Sequence, residues 1–143
     1  MDAASYEAAK AVASAAASRS SRSAASPASA TQPLLVFVAE GVNQTVAGGW
    51  FPPDANGTVG HTHFVQCVNN HIDMYLRLAG LVKSVSLNAF VGYATQPLFD
   101  PAIVYDPKWR RWIFTCPAFD EGAGLPQYLF IVVSQSSNPA LAW

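Results

Sequence analysis

Chemistry in this chain would have to come from a small set of side chains. The three histidines, His61, His63 and His71, lie close together in sequence. His61 and His63 are two apart, so on a strand both would point to one face. Neutral imidazoles so placed could ligate zinc, with Asp73 completing the set. No Cys or Glu stands at tight zinc spacing, so they read as surface or packing histidines, and neither a metal nor any other cofactor is assigned. Asp100, Asp106, Asp120 and Glu121 could supply a paired-carboxylate acid/base site, which requires two carboxyls converging on one cleft. Asp100 and Asp106 each precede proline, where turn formation already explains them. Asp120-Glu121-Gly122 reads as a Gly-rich loop pointing into water. No catalytic residue is assigned.

Cys67 and Cys116 fall in predicted strands. In an oxidising compartment they are candidates for a bridge if their Cα atoms approach within about 7 Å; otherwise they act as small buried hydrophobes. No Ser, His or Asp partner marks either as a nucleophile. Asn43-Gln44-Thr45 and Asn56-Gly57-Thr58 are glycosylation sequons, making Asn43 and Asn56 candidate acceptors in a surface loop. Trp50, Phe51 and Trp109 could stack on sugar rings, or could cover an edge of the fold.

The elements that must position these residues follow from length and composition. At 143 residues, 51% hydrophobic, 12% charged and with a formal net charge of −1, the chain has room for one domain. It also lacks the basic surplus of a nucleic-acid phosphate binder. Its longest apolar runs, Leu34–Ala39 and Leu129–Val133, fall far short of the ~20 residues of a membrane span. Residues 1–30 hold thirteen Ala and eight Ser with one aromatic, Tyr6. Residues 1–32 therefore read as an Ala/Ser-rich leader or linker, disordered or weakly helical from Tyr6 to Ala17. Arg19 and Arg22 in a Ser/Ala background resemble an organelle-targeting segment; Asp2 and Glu7 count against that reading.

Residues 33–143 carry sixteen of the seventeen aromatics, in short apolar runs separated by Pro, Gly, Asn and Asp. This is a strand-and-turn pattern. Strands are predicted at Leu34–Ala39, His63–Asn69, Ile72–Arg77, Ala102–Tyr105, Arg111–Pro117 and Leu129–Ser134. A loop rich in Gly and Pro is predicted through Gly60, and no helix after Gln32 because no three-turn apolar period occurs. The class is all-β. In the hairpin from Val104 to Trp112, Asp106 should accept backbone N–H groups and Pro107 should preset the first corner. Tyr105 and Trp112 should stack across the strand pair. Asp100-Pro101 should be extended, with Pro101 opening a strand.

Several spaced blocks then acquire a family likeness. Pro52-Pro53-Asp54, Val59-Gly60, His63-Phe64-Val65-Gln66, Val68-Asn69, Ser86-Leu87-Asn88, Phe99-Asp100-Pro101, Val104-Tyr105-Asp106, Arg111-Trp112, Val132-Val133-Ser134, Pro139 and Trp143 occur in an order that resembles the start of a secreted β-propeller family. The superfamily implied is that of sialidase-like and kelch-like propellers. The Gly-Gly that precedes the Tyr…Trp pair of kelch blades is absent here, and the sialidase Ser-x-Asp-x-Gly-x-x-Trp box occurs nowhere.

The resemblance implies an incomplete β-propeller. A propeller needs roughly four to eight blades of about 40–50 residues, and residues 33–143 supply about two. Remaining blades or a second copy would then cover the open edges. The function implied is a non-catalytic binding or adhesion module of an extracellular or surface protein, recognising glycan or protein through loops. The alternatives are a fragment of a glycan-processing propeller enzyme and a truncated product with no independent function.

Overall fold

The structure, a computed structural model, describes residues 4, 5, 7–12, 38–119, 122 and 124–143. The chain divides into two units, Met1–Leu34 and Leu35–Trp143. In the first, the described residues are helical and exposed, with Lys10 Nζ 3.8 Å from Glu7 one turn earlier. The rest of the predicted leader lies outside the described residues. Among those described, no helix is long and apolar enough to cross a membrane.

The second unit is built from two antiparallel sheets. Strands β1 (Ala55–Val59), β2 (His63–Val68), β3 (His71–Leu76) and β4 (Gly80–Ser86) pair in chain order. Strands β5 (Ala102–Asp106), β6 (Arg111–Ala118) and β7 (Tyr128–Val133) do the same. The all-β reading stands, and the second to sixth predicted strands appear as β2, β3, β5, β6 and β7. Val38 and Ala39, the described part of the predicted strand Leu34–Ala39, lie outside any strand.

Three features depart from the sequence reading. Ala55–Val59 is a strand within the predicted loop, despite Asn56 and Gly57, because it pairs along its length with β2, from Ala55↔Val68 to Val59↔Phe64. Tertiary pairing overrides propensity in so short a segment. β4 carries no clear alternation, and its pairing with β3 breaks register between Met74 and Tyr75. A five-residue helix, α1 (Leu87–Val91), follows it directly. Ser86 Oγ accepts the Ala89 N–H, and Gly92 at φ 75° closes the other end. That left-handed conformation is nearly free for glycine.

Strict alternation places the core. In β6, Trp112, Phe114, Cys116 and Ala118 are buried, and the residues between them are only half covered. They meet Val65, Cys67, Ile72 and Met74 of the first sheet, with Leu87 of α1, Leu98 and Ile103, in one cluster. Each sheet thus turns one face toward the other, as period-two side-chain placement requires. Gly60 packs against Trp112 so closely that a Cβ there would lie 2.7 Å from the indole.

The outward faces differ. On the first sheet, residues 40–42 lie over Gln66 and Tyr75: Gln66 Oε1 accepts the Val42 N–H at 3.0 Å, and the Tyr75 hydroxyl donates to Glu40 O at 3.1 Å. On the second sheet, Val104, Leu129, Ile131 and Val133 are all exposed. Ile113 sits between Val104 and Val133 in the ladder, so the exposed side chains form one apolar field.

Candidate functional site

The two sheets begin at a common end. β1 and β5 start there, β2 turns into β3 through Asn69-Asn70, and β6 finishes there at Ala118. The predicted turn formers Asn69 and Asn70 make this turn, Asn69 adopting a φ of 49° that Asn tolerates better than most residues. The turn also ties the surrounding segments together. The Asn69 N–H donates to Asp54 O at 3.3 Å, and its Nδ2 donates to Pro52 O at 3.1 Å. Asn70 O accepts the Leu87 N–H at 2.7 Å, holding the start of α1. Asn88 of α1 then donates through Nδ2 to Tyr93 O and Gln96 O, pinning the connection to β5. Leu98 pairs with Ala118 in an isolated bridge.

These ties enclose a cavity of about 660 Å³. Trp50, Phe51, Phe99 and Phe119 supply aromatic surface, and Asn69, Asn70, Asn88, Asp54 and Asp100 supply polar groups. Few polar groups converging on an aromatic concavity is the usual composition of a small-ligand site. Asn69 is only 7% exposed, and the Oδ1 atoms of Asn69 and Asn70 are buried without a hydrogen-bond partner. Buried acceptors left unpaired are uncommon and favour whatever donor reaches them.

The Asp100 carboxyl is held above the usual carboxylate range, first by burial and then by Asp54. The two acids also line a shallower groove beside the cavity, with Pro53, Ala55, Asn56 and Pro101. The expected extended backbone at Asp100 is not adopted: its φ is 44°, and the bend carries the chain from the Leu98 bridge into β5. Sequence reasoning singled out Asp100 but not Asp54, because the pair is separated by most of the first sheet and only packing unites it.

The other predicted residues scatter. Asp106 sits at the far end of β5 from Asp100, so the two cannot converge. It caps its own turn, as expected, accepting the Lys108 N–H at 2.8 Å and the Trp109 N–H at 3.1 Å. Pro107 follows in that turn, and Tyr105 and Trp112 pair across it with ring centroids 4.7 Å apart. Asp120 and Glu121 lie outside the described residues. Of the candidate sugar-stacking aromatics, Trp50 and Phe51 reach the cavity. Trp109 stands at the opposite end, exposed beneath Lys108 Nζ at 5.4 Å.

The histidines do not share a face. His61 is in the bend before β2, its Nδ1 3.0 Å from the Tyr105 hydroxyl. His63 is buried and contacts Thr62 Oγ1 at 2.8 Å. His71 Nε2 lies 2.8 Å from Ser84 Oγ and 3.5 Å from Asp73 Oδ1. A Ser-His-Asp relay needs the two ring nitrogens on different partners; here one nitrogen faces both, so Ser84 is not activated. Among the described residues no three His, Cys, Asp or Glu side chains are grouped to hold a metal.

Cys67 and Cys116 both enter the core between the sheets as free thiols. Burial pushes Cys67 up to about 12, aided by Cys116 and Asp73, and Cys116 up to about 11. Asn43 is exposed, with its Oδ1 accepting the Val46 N–H at 3.0 Å. Asn56 is held in β1, with its Oδ1 on the Ile103 N–H. No family model, no curated protein and no solved structure matches the chain.

Proposed function

We propose that Leu35–Trp143 forms two consecutive blades of a β-propeller and acts as a non-catalytic binding module of an extracellular or surface protein. Its loops at the common end of the sheets take a glycan. The blade reading draws support from topology: two up-and-down meanders, with β4 at one edge of the first leading through α1 to β5 at the near edge of the second. β1 and β5 then lie side by side, as inner strands of neighbouring blades do. The apolar field on β5–β7 is the surface a further sheet would cover.

The observation that carries the glycan reading is the cavity with four aromatic side chains and three carboxamides. Aromatic faces pack against sugar rings, while amides exchange hydrogen bonds with hydroxyls. The carboxyl pair supports binding over hydrolysis. Glycosidase carboxyls stand about 5 Å apart or more, to admit a sugar or a water between them. Asp54 and Asp100 are near enough for Asp54 to raise the Asp100 carboxyl.

A glycan array probed with the full chain, with Trp50→Ala alongside, tests this reading. The expected result is retention of a restricted set of glycans, lost in the variant. No retained glycan, or retention unaffected by Trp50→Ala, refutes it.

A further inference from the structure

The cavity has a charge character as well as a shape. Its lining contains two carboxyls, Asp54 and Asp100, and no Lys, Arg or His. The adjoining groove adds no cation and shares the same two acids. An anionic sugar entering this space would meet like charge with no counter-ion on the described walls. A sugar bearing an ammonium would meet opposite charge and aromatic faces, beside a buried acceptor that lacks a partner. Asn69, more than nine-tenths buried and part of the lining, holds that acceptor in its unpartnered Oδ1.

We propose that the cavity selects amino sugars in their protonated form, the ammonium seated against Asp54 and Asp100. The inference rests on the glycan reading above and narrows it. A cation near Trp and Phe faces gains further attraction from the ring quadrupoles. The acid pair suits this role. Two neighbouring carboxyls repel each other when both are charged, and a cation seated against them offsets that repulsion. Asp54 and Asp100 are the titratable groups on the lining of both the cavity and the groove.

Titration calorimetry of the full chain against tetramers of glucosamine, N-acetylglucosamine and glucuronic acid tests the selectivity, at about pH 5.5, where a sugar amine is charged although its neighbouring oxygens make it less basic than an alkylamine. Glucosamine tetramers are expected to bind roughly tenfold or more tighter than the acetylated tetramer, whose ring is the same but whose nitrogen is neutral. The preference should shrink with added salt and vanish in Asp54→Asn/Asp100→Asn, which preserves shape at two exposed positions. Equal or tighter binding of the neutral or acidic tetramer overturns this inference and leaves the glycan reading standing, as does an undiminished amine preference in the double variant. Binding of no tetramer, together with an empty glycan array, overturns both.

Discussion

Asn56 Oδ1 accepts the Ile103 backbone N–H at 2.8 Å. This side chain of the first sheet's edge strand answers the open backbone of the second sheet's edge strand. Among the described residues β5 has no strand on that side, so a single carboxamide stands in for a ladder bond and registers the two sheets against each other. Ile103 is buried, and its N–H has little other recourse.

Asn56→Ala should therefore cost about 1–3 kcal/mol, the penalty for stranding a buried donor, whereas Asn56→Asp keeps the acceptor and should cost less. Urea midpoints measure both, and an unchanged midpoint in the alanine variant contradicts the tie. If the chain is passed through a glycosylating secretory pathway, mass spectrometry should find glycan on Asn43, in the loop before β1, and not on Asn56, which is paired along a strand.

Gly60→Ala should be among the most damaging small changes in the chain. The new Cβ would lie 2.7 Å from Trp112 Cζ2 and 3.2 Å from Tyr105 Cε2, and the fully buried Trp112 has no room to retreat. Overpacking of this kind costs about 1–3 kcal/mol. At Gly41 the added Cβ instead meets the tip of Gln66, so Gly41→Ala should be milder. Thermal unfolding with near-ultraviolet circular dichroism separates the two, and equal effects would refute the argument.

The cysteines should be silent in the native protein. At about pH 8, Ellman's reagent should label neither thiol until denaturant is added, because each is buried and only the thiolate reacts. Their protonation also sets the alkaline limit. Relative to the ordinary value of 9.0, Cys67 is raised to about 12 and Cys116 to about 11. The unfolded chain thus releases these protons first, and stability falls as pH rises from 9 toward 12. Burial and the bond to Asp73 hold the Tyr75 hydroxyl high as well, steepening the fall. A Cys67→Ala/Cys116→Ala variant should lose stability less steeply over that range, as measured by denaturant midpoints.

Acid should weaken the fold through two histidines. Burial lowers both His63 and His71, although Asp73 opposes the shift at His71. The unfolded state then binds more protons just below the ordinary value of 6.5, so stability is lost as pH falls through that region. Denaturant midpoints across it should decline, and should decline less in His63→Asn/His71→Asn. A flat wild-type profile would contradict the desolvation argument.

Much of the architecture was legible in the residues themselves. The strand at Arg111–Pro117, the turn chemistry of Asp106-Pro107 and the Tyr105–Trp112 pair are local properties, because apolar runs and backbone preference act over a few residues. Asn69-Asn70 was readable as a turn for the same reason. What escaped was whatever depended on a distant partner. β1 exists because β2 offers it a ladder, against the leanings of Asn56 and Gly57. Asp54 meets Asp100 only once β1 and β5 start side by side. Asp100 abandons the extended form its proline favours where the chain passes from the Leu98 bridge into β5. The three histidines, close in sequence, part because a bend and a strand direct them to different neighbours. Composition and periodicity decided that this chain makes sheets and where most strands run. The cavity and its acid pair were decided by how the two sheets pack, since a site assembled from four loops and α1 has no signature in any one of them.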